Sequence, residues 1–229
     1  MSGELEEAGW EEVSLDDRDH AGPWPAFMDL FVATSLIVLV LFIVIAFRYV
    51  KQTGDIVRVH ELYAELKKVE QGNRFSVQER KPDVLIILEE AVTFPKDKWE
   101  LVTLQEPAKQ TLRSIDSLLR RPEFRGLVRE VEIFGHADRR GDRFNNWRLS
   151  ANRAVTVAEY MVRVLGRRPC EIVPSGRGAF YPRDTVLDPD TLPRGARDAA
   201  YARDRRIEVL LHPVVAGEDS ASRQGCRAP

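Results

Sequence analysis

Apolar residues run almost unbroken from Ala26 to Phe47, with Asp29 the single charge in the run. As a helix rising 1.5 Å per residue the run spans roughly 33 Å, close to the hydrocarbon thickness of a bilayer. It is longer than the apolar core of a secretory signal, it follows an acidic rather than a basic stretch, and Arg48-Tyr49-Val50-Lys51 stands where a small-residue cleavage site belongs. Trp24, Phe47 and Tyr49 fall where interfacial aromatics sit. The pattern predicts a polar acidic tail over residues 1–23 and a retained transmembrane helix over 24–50. Residues 51–81 read as a linker holding a short helix, Asp55 to Gln71, closed by Gly72-Asn73. Ile56, Val59, Leu62, Leu66 and Val69 form an apolar stripe on that helix. A stripe of this spacing fits a two-heptad coiled-coil seam or a helix lying on the following domain, and the sequence leaves both open.

From Pro82 the periods alternate. Val84–Val92 reads as a strand, Leu104–Arg121 as a helix, Leu127–Gly135 as a strand and Asn146–Leu165 as an amphipathic helix. Ile172–Pro174 is a short strand and Arg206–Leu211 a last one, with a Pro- and Asp-rich loop from Tyr181 to Arg203 between them. The order predicts an α+β domain over 82–213, a mixed sheet with helices on one face, followed by a polar tail over 214–229.

Composition narrows the functions. The chain has 229 residues, a net charge of −2 and two cysteines, Cys170 and Cys226, too few for a disulfide framework or a four-cysteine zinc site. All lysines lie at or before Lys109, and the later Arg-rich stretch is interleaved with acids and lacks an aromatic stacking platform, which argues against nucleic acid as partner. No P-loop, nucleophile elbow or metalloprotease motif occurs, so no enzyme, cofactor or metal is expected. His136 beside Asp138 has no second ligand at metal spacing and reads as structural.

Gly135-His136-Ala137-Asp138, Gly141, Asn146-Trp147-Arg148-Leu149-Ser150, Arg153-Ala154, Gly176-Arg177-Gly178 and Arg205-Arg206-Ile207-Glu208-Val209 occur in order. Together they resemble the OmpA-like peptidoglycan-binding domain. The resemblance implies that Asp138 and Arg153 hold the diaminopimelate residue of the cell-wall peptide, with Asn146 and Arg205 beside them. The chemistry agrees, since a zwitterion needs an anion for its ammonium and a guanidinium fork for its carboxylate. Asp138 and Arg153 paired with each other is the simpler alternative. Asn146 reads as a helix cap or a ligand donor. The chain departs from the family at Ala137, where Thr is usual, at Asp142, where Ser is frequent, and at Asp204, where Asn is common.

Pro25-Ala26-Phe27-Met28-Asp29 leading into an apolar helix resembles the single span of MotB, TolR and ExbD, and joined to an OmpA-like domain the pattern is closest to the MotB class, which includes the ZorB-type subunits of Zorya phage-defence systems. A carboxylate inside a span is costly and marks function by default. The resemblance implies a homodimer of this chain inside a ring of MotA-like subunits, with Asp29 conducting protons or sodium; Leu30, Phe31 and Val32 beside it offer few oxygen ligands, which favours protons, with Thr34 and Ser35 five and six residues on as the counterweight. The C-terminal domain would hold peptidoglycan in the periplasm and the N-terminus would face the cytoplasm of an inner-membrane, single-pass protein. The Lys and Arg count points the other way, with Arg18 before the span and Arg48, Lys51 and Arg58 after it. Val32 and Ala33 stand where flagellar stators carry Met-Thr, which favours a defence motor over a flagellar one. A passive wall anchor without ion flux is the alternative.

Overall fold

The structure is a computed structural model in which residues 24–71, 75–183 and 189–214 are described. The expected acidic tail, the Gly72-Asn73 stop and the C-terminal tail lie outside those residues. The chain divides into two compact units, Met1–Tyr49 and Val50–Pro229, each described by itself.

Helix α1 is Trp24–Glu70. Its segment Phe27–Val50 has a mean hydropathy of 3.1 and none of it is buried. Among the described residues this is the one helix long and apolar enough to cross a membrane. A lone apolar helix satisfies its own backbone polar groups, as a hydrocarbon environment demands. The Thr34 hydroxyl donates to the Leu30 and Phe31 carbonyls at 2.9 and 3.0 Å and so is turned onto its own helix.

The second unit carries five strands: β1 Phe75–Arg80, β2 Asp83–Glu89, β3 Val128–His136, β4 Ile172–Gly178 and β5 Arg206–Pro213. Their order in the sheet is β1-β2-β5-β3-β4, with only β3 and β4 parallel. That mixed sheet is the expected class. The helices are α2 Glu90–Thr93, α3 Glu106–Arg120, α4 Arg143–Arg163 and α5 Arg194–Asp204. Strand alternation turns Val84, Ile86 and Leu88 of β2, Ile207, Val209 and Leu211 of β5, and Val131 and Ile133 of β3 into one core. Leu112, Ile115 and Leu119 of α3 and Ala154, Val157 and Met161 of α4 close it. Leu62 and Leu66 of α1 are buried in the same cluster, which favours packing on the domain over a free coiled-coil seam for that stripe.

Several elements differ from the sequence reading. The strand read over Val84–Val92 ends at Glu89, and Glu90–Thr93 forms the short helix α2. The sheet has a strand before Pro82, β1, whose Phe75 and Val77 are buried and whose other positions are polar. The segment read as a Pro- and Asp-rich loop holds α5, which buries Ala200, Tyr201 and Asp204. Helix α4 starts at Arg143 because Asp142, not Asn146, caps it, accepting from the Asn145 N–H at 2.8 Å.

Helix α4 lies almost on the backbone of its two parallel strands. A Cβ at Gly135 would stand 1.9 Å from the Ser150 carbonyl oxygen, and one at Gly176 would stand 2.6 Å from the Ala151 Cβ. The Ser150 hydroxyl then accepts from the Gly178 N–H at 2.9 Å and donates to the Trp147 carbonyl at 2.7 Å. Gly135→Ala meets rigid backbone, and is expected to cost at least about 3 kcal/mol, the upper end for overpacking. Urea unfolding of the full chain in detergent is the measurement.

On the face opposite Ile207 and Val209, Glu208 is buried. Burial pushes its carboxyl up, but His136 Nε2 at 3.4 Å and Arg206 Nε at 2.7 Å outweigh that and hold it at about 2. A depressed folded value gives stability that is present above the unfolded value near 4.5 and lost as pH falls toward 2. The loss is on the order of 3 kcal/mol. Thermal midpoints between pH 5 and about 2 are expected to fall less steeply in Glu208→Gln, which starts from a lower midpoint at neutral pH.

Candidate functional site

Strand register builds the site at one end of the sheet. Glu89 of β2 and His136 of β3 both stand opposite Arg206 at the start of β5. Glu90, Arg205 and the Ala137-Asp138 loop are therefore neighbours, and the Glu90 N–H donates to the Arg205 carbonyl at 2.9 Å. Arg153 reaches the same place from the third turn of α4. A cleft of 590 Å³ opens there, lined among others by Glu90, Lys96, Asp138, Asn146, Arg153 and Arg205.

Charges alternate across the cleft. Arg153, 2% exposed, pairs through Nη1 with Glu90 Oε1 at 2.5 Å. Its Nε and Nη2 donate to the Lys98 and Pro95 carbonyls at 2.9 and 3.2 Å, and its guanidinium lies 5.5 Å from the Phe94 ring centroid. Glu90 binds Arg205 Nε through its other oxygen. Arg205 Nη1 reaches Asp138 Oδ2 at 2.6 Å. Arg140 closes the row, with Nη2 2.6 Å and Nε 3.2 Å from the same oxygen, while its backbone N–H donates to Asp138 Oδ1 at 2.9 Å. Asp138 and Arg153 are thus joined through Arg205 and Glu90, not directly as the simpler alternative had it.

These contacts set the electrostatics. Burial pushes the Asp138 carboxyl up, and the hydrogen bonds from Arg140 and Arg205 more than reverse it, so it lies below the usual carboxylate range. Arg140 is raised chiefly by its bond to Asp138. Burial lowers Arg205, and Asp138 and Glu90 raise it further, so it too lies above its ordinary value. Asp138, Arg140 and Arg205 are therefore charged at neutral pH.

The remaining residues hold the frame. Asn146 Nδ2 donates to the Asp138 and Arg140 carbonyls at 2.9 and 2.7 Å, so it braces the loop that presents Asp138. Ala137, whose N–H donates to the Gly178 carbonyl at 2.9 Å, lines the cleft where the family's Thr would place a hydroxyl. His136 is buried and faces Glu208, away from the cleft residues. Asp29 lies in the other unit, exposed on α1.

Sequence reading had placed Asp138, Asn146, Arg153 and Arg205 at one site, and all four line this cleft. It missed Glu90 and Arg140. Glu90 was legible only as a second acid at the end of an apolar strand, and Arg140 as one of two arginines in the turn after Asp138. The arrangement offers two carboxylates and three guanidiniums within one small space, suited to a ligand that carries an ammonium and a carboxylate together.

Residues 93–193 match the model of the OmpA family. Among solved structures, a protein described as MotB-like from Desulfovibrio vulgaris is 24% identical, with a TM-score of 0.56 over 71% of this chain and 99% of that one. The cell wall anchor of the T6SS from Pseudomonas aeruginosa is 21% identical, with a TM-score of 0.50 over 68% of this chain and 97% of that one. Among curated proteins none matches this chain. These likenesses carry the fold. Residues 93–193 thus resemble the OmpA family, and the second unit has the fold of the MotB-like protein.

Proposed function

We propose that this chain is the wall-anchored, ion-conducting subunit of an inner-membrane motor. Its C-terminal domain grips the diaminopimelate residue of peptidoglycan in the cleft, and its span carries protons on Asp29. The observation that carries the reading is the alternating row Arg153, Glu90, Arg205, Asp138 at the open end of an OmpA-like domain. A ligand ammonium takes Asp138 and a ligand carboxylate takes the guanidiniums, each exchanging one internal partner for an external one.

The domain then lies in the periplasm and the N-terminus in the cytoplasm. Two copies inside a ring of MotA-like subunits provide the conducting interface. Helical spacing supports protons over sodium. Positions three, four and seven beyond Asp29 are Val32, Ala33 and Leu36, so Thr34 and Ser35 lie on other faces and Asp29 has no oxygen neighbours on its own. Val32 and Ala33 in place of Met-Thr support a specialised motor of the Zorya phage-defence type over a flagellar stator.

Retention of the full chain, in detergent, on purified peptidoglycan is the test. The unmodified chain is expected to be retained, and Asp138→Asn, which keeps the shape and removes the charge, to be lost. A chain that does not bind peptidoglycan overturns the anchoring reading. Arg140 gives a prediction of opposite sign. Its half-exposed side chain covers the Asp138 oxygen that the ligand ammonium needs. Arg140→Gln is expected to tighten binding of a diaminopimelate-containing tripeptide by about tenfold, an effect of the size of one exposed charge-assisted contact, read by calorimetry.

A further inference from the structure

Beside the cleft, at the same end of the sheet, the surface is aromatic. Phe144 and Trp147, one helical turn apart on α4, are 76% and 49% exposed, and Phe180 and Tyr181, just beyond β4, are 57% and 55% exposed. The cluster is built, not scattered. The Trp147 Nε1–H donates to the Gly176 carbonyl at 2.8 Å, which fixes the indole by its edge and leaves ring surface to solvent. Phe180 stands against it edge-on, ring centroids 6.3 Å apart at 85°. The Arg177 guanidinium lies 4.2 Å from the Phe134 ring centroid and 4.9 Å from that of Tyr181, which holds Tyr181 in place. Gly178, at φ +55, makes the turn that brings Phe180 back over the α4 backbone.

We propose that this face is a platform for the sugar rings of the glycan strand whose stem peptide occupies the cleft. The inference rests on the peptidoglycan reading and extends it from the peptide to the polysaccharide. A pyranose ring has a face of C–H bonds bordered by hydroxyls and an amide, and it packs flat on an aromatic ring while its polar edge needs donors and acceptors at the rim. Here the rings are few, oriented and separated by polar groups. Arg177 stands against Tyr181, and Asn145 and Arg148, each the residue next to Phe144 or Trp147 on α4, are joined by a hydrogen bond of 3.0 Å. A protein partner would favour a continuous apolar centre that excludes water.

Continuity with the cleft decides the occupant. Asn146, in the cleft wall, and Trp147, in the platform, are adjacent residues of α4, so the two surfaces flank one helix of about 10 Å diameter. An extended stem of about three residues covers roughly 10 Å, the distance over which the glycan must reappear once its peptide is seated.

Binding of two separate probes to the full chain in detergent tests this. The probes are peptide-free glycan strands and a diaminopimelate-containing tripeptide. The unmodified chain is expected to bind both. Trp147→Ala and Phe144→Ala should each weaken the glycan by about tenfold, the worth of one aromatic contact, and leave the tripeptide unchanged. Trp147→Phe, which keeps a ring, should retain most of the glycan affinity. Tripeptide binding without glycan binding overturns the platform and leaves the cleft reading standing. Glycan binding without tripeptide binding does the reverse. A concentration-dependent dimer dispersed by Phe144→Ala would reassign the face to a second copy of the chain and overturn the proposal.

Discussion

Asp29→Asn is expected to abolish ion-driven function while leaving retention on peptidoglycan unchanged. The substitution keeps the side-chain shape and a polar group, so membrane insertion is preserved and only the titrating proton is lost. A carboxylate near the end of a span costs less to bury than the about 2.5–3.5 kcal/mol typical at the centre, yet still more than the apolar residues around it. Its replacement by an apolar residue would therefore stabilise the span, and the proposed motor would be the reason to keep it. The energy at stake is about 2.3 kcal/mol for each charge that crosses 100 mV, several times thermal energy, and all of it enters through the one group that changes charge. Proton flux in cells producing this chain together with the proposed MotA-like partner is the direct measurement. Flux at the unmodified level in Asp29→Asn would falsify the motor and leave a passive wall anchor. Asp29→Glu separates proton transfer from mere polarity, because it keeps an ionisable group on the same helix face and should retain a fraction of the flux that Asn loses.

What could be read from sequence follows from where each signal lives. The span, α3, α4 and the central strands β2, β3 and β5 were legible because burial on one or both faces imposes a period on their residues. Strand β1 was not, because Phe75-Ser76-Val77-Gln78-Glu79-Arg80 buries two side chains only and its outer edge is polar. Helix α5 was hidden by its flanks. Pro182 and Pro193 bracket a Pro- and Asp-rich stretch, while the helix buries only Ala200, Tyr201 and Asp204 and shows little apolar face. The stripe at Leu62 and Leu66 gave a clear period but not its destination, since a coiled coil and a domain surface ask for the same spacing. In the site, Asp138, Asn146 and Arg153 were legible as one motif because they belong to one strand–turn–helix segment. Glu90 was not, for it arrives by the pairing of β2 with β5, a long-range register that no local pattern encodes. The charge pairing around Asp138 was equally out of reach, because Arg140 acts through side-chain direction in a tight turn.

Removing Arg205 is expected to separate binding from folding more cleanly than removing Arg153. Arg153 is buried and holds Glu90 together with the Pro95 and Lys98 carbonyls, so Arg153→Met leaves a buried carboxylate short of a partner and two carbonyls without donors. That change is expected to cost about 3–5 kcal/mol and to unfold much of the protein. Arg205 is 27% exposed, and each of its carboxylates keeps a second guanidinium, Arg153 for Glu90 and Arg140 for Asp138. Water also screens it in part, so Arg205→Met is expected to cost only about 2 kcal/mol of stability, below the fully buried case. Its effect on binding is larger. Among the described residues Arg205 is the group that ties the Asp138 side of the cleft to the Glu90 side, and without it the two carboxylates face each other unbridged. A diaminopimelate tripeptide is expected to bind on the order of a hundredfold more weakly, the range for truncating one partner of a hydrogen-bonded charge pair. The Asp138 carboxyl, losing one of its two guanidiniums, moves up toward its ordinary value, so the variant's residual binding should fail at higher pH than the unmodified chain's as the solution is acidified. A titration of tripeptide affinity from pH 7 downward reads both effects at once. Equal losses of stability and binding in Arg205→Met and Arg153→Met would assign both arginines to the frame and leave Asp138 alone to recognise the ligand.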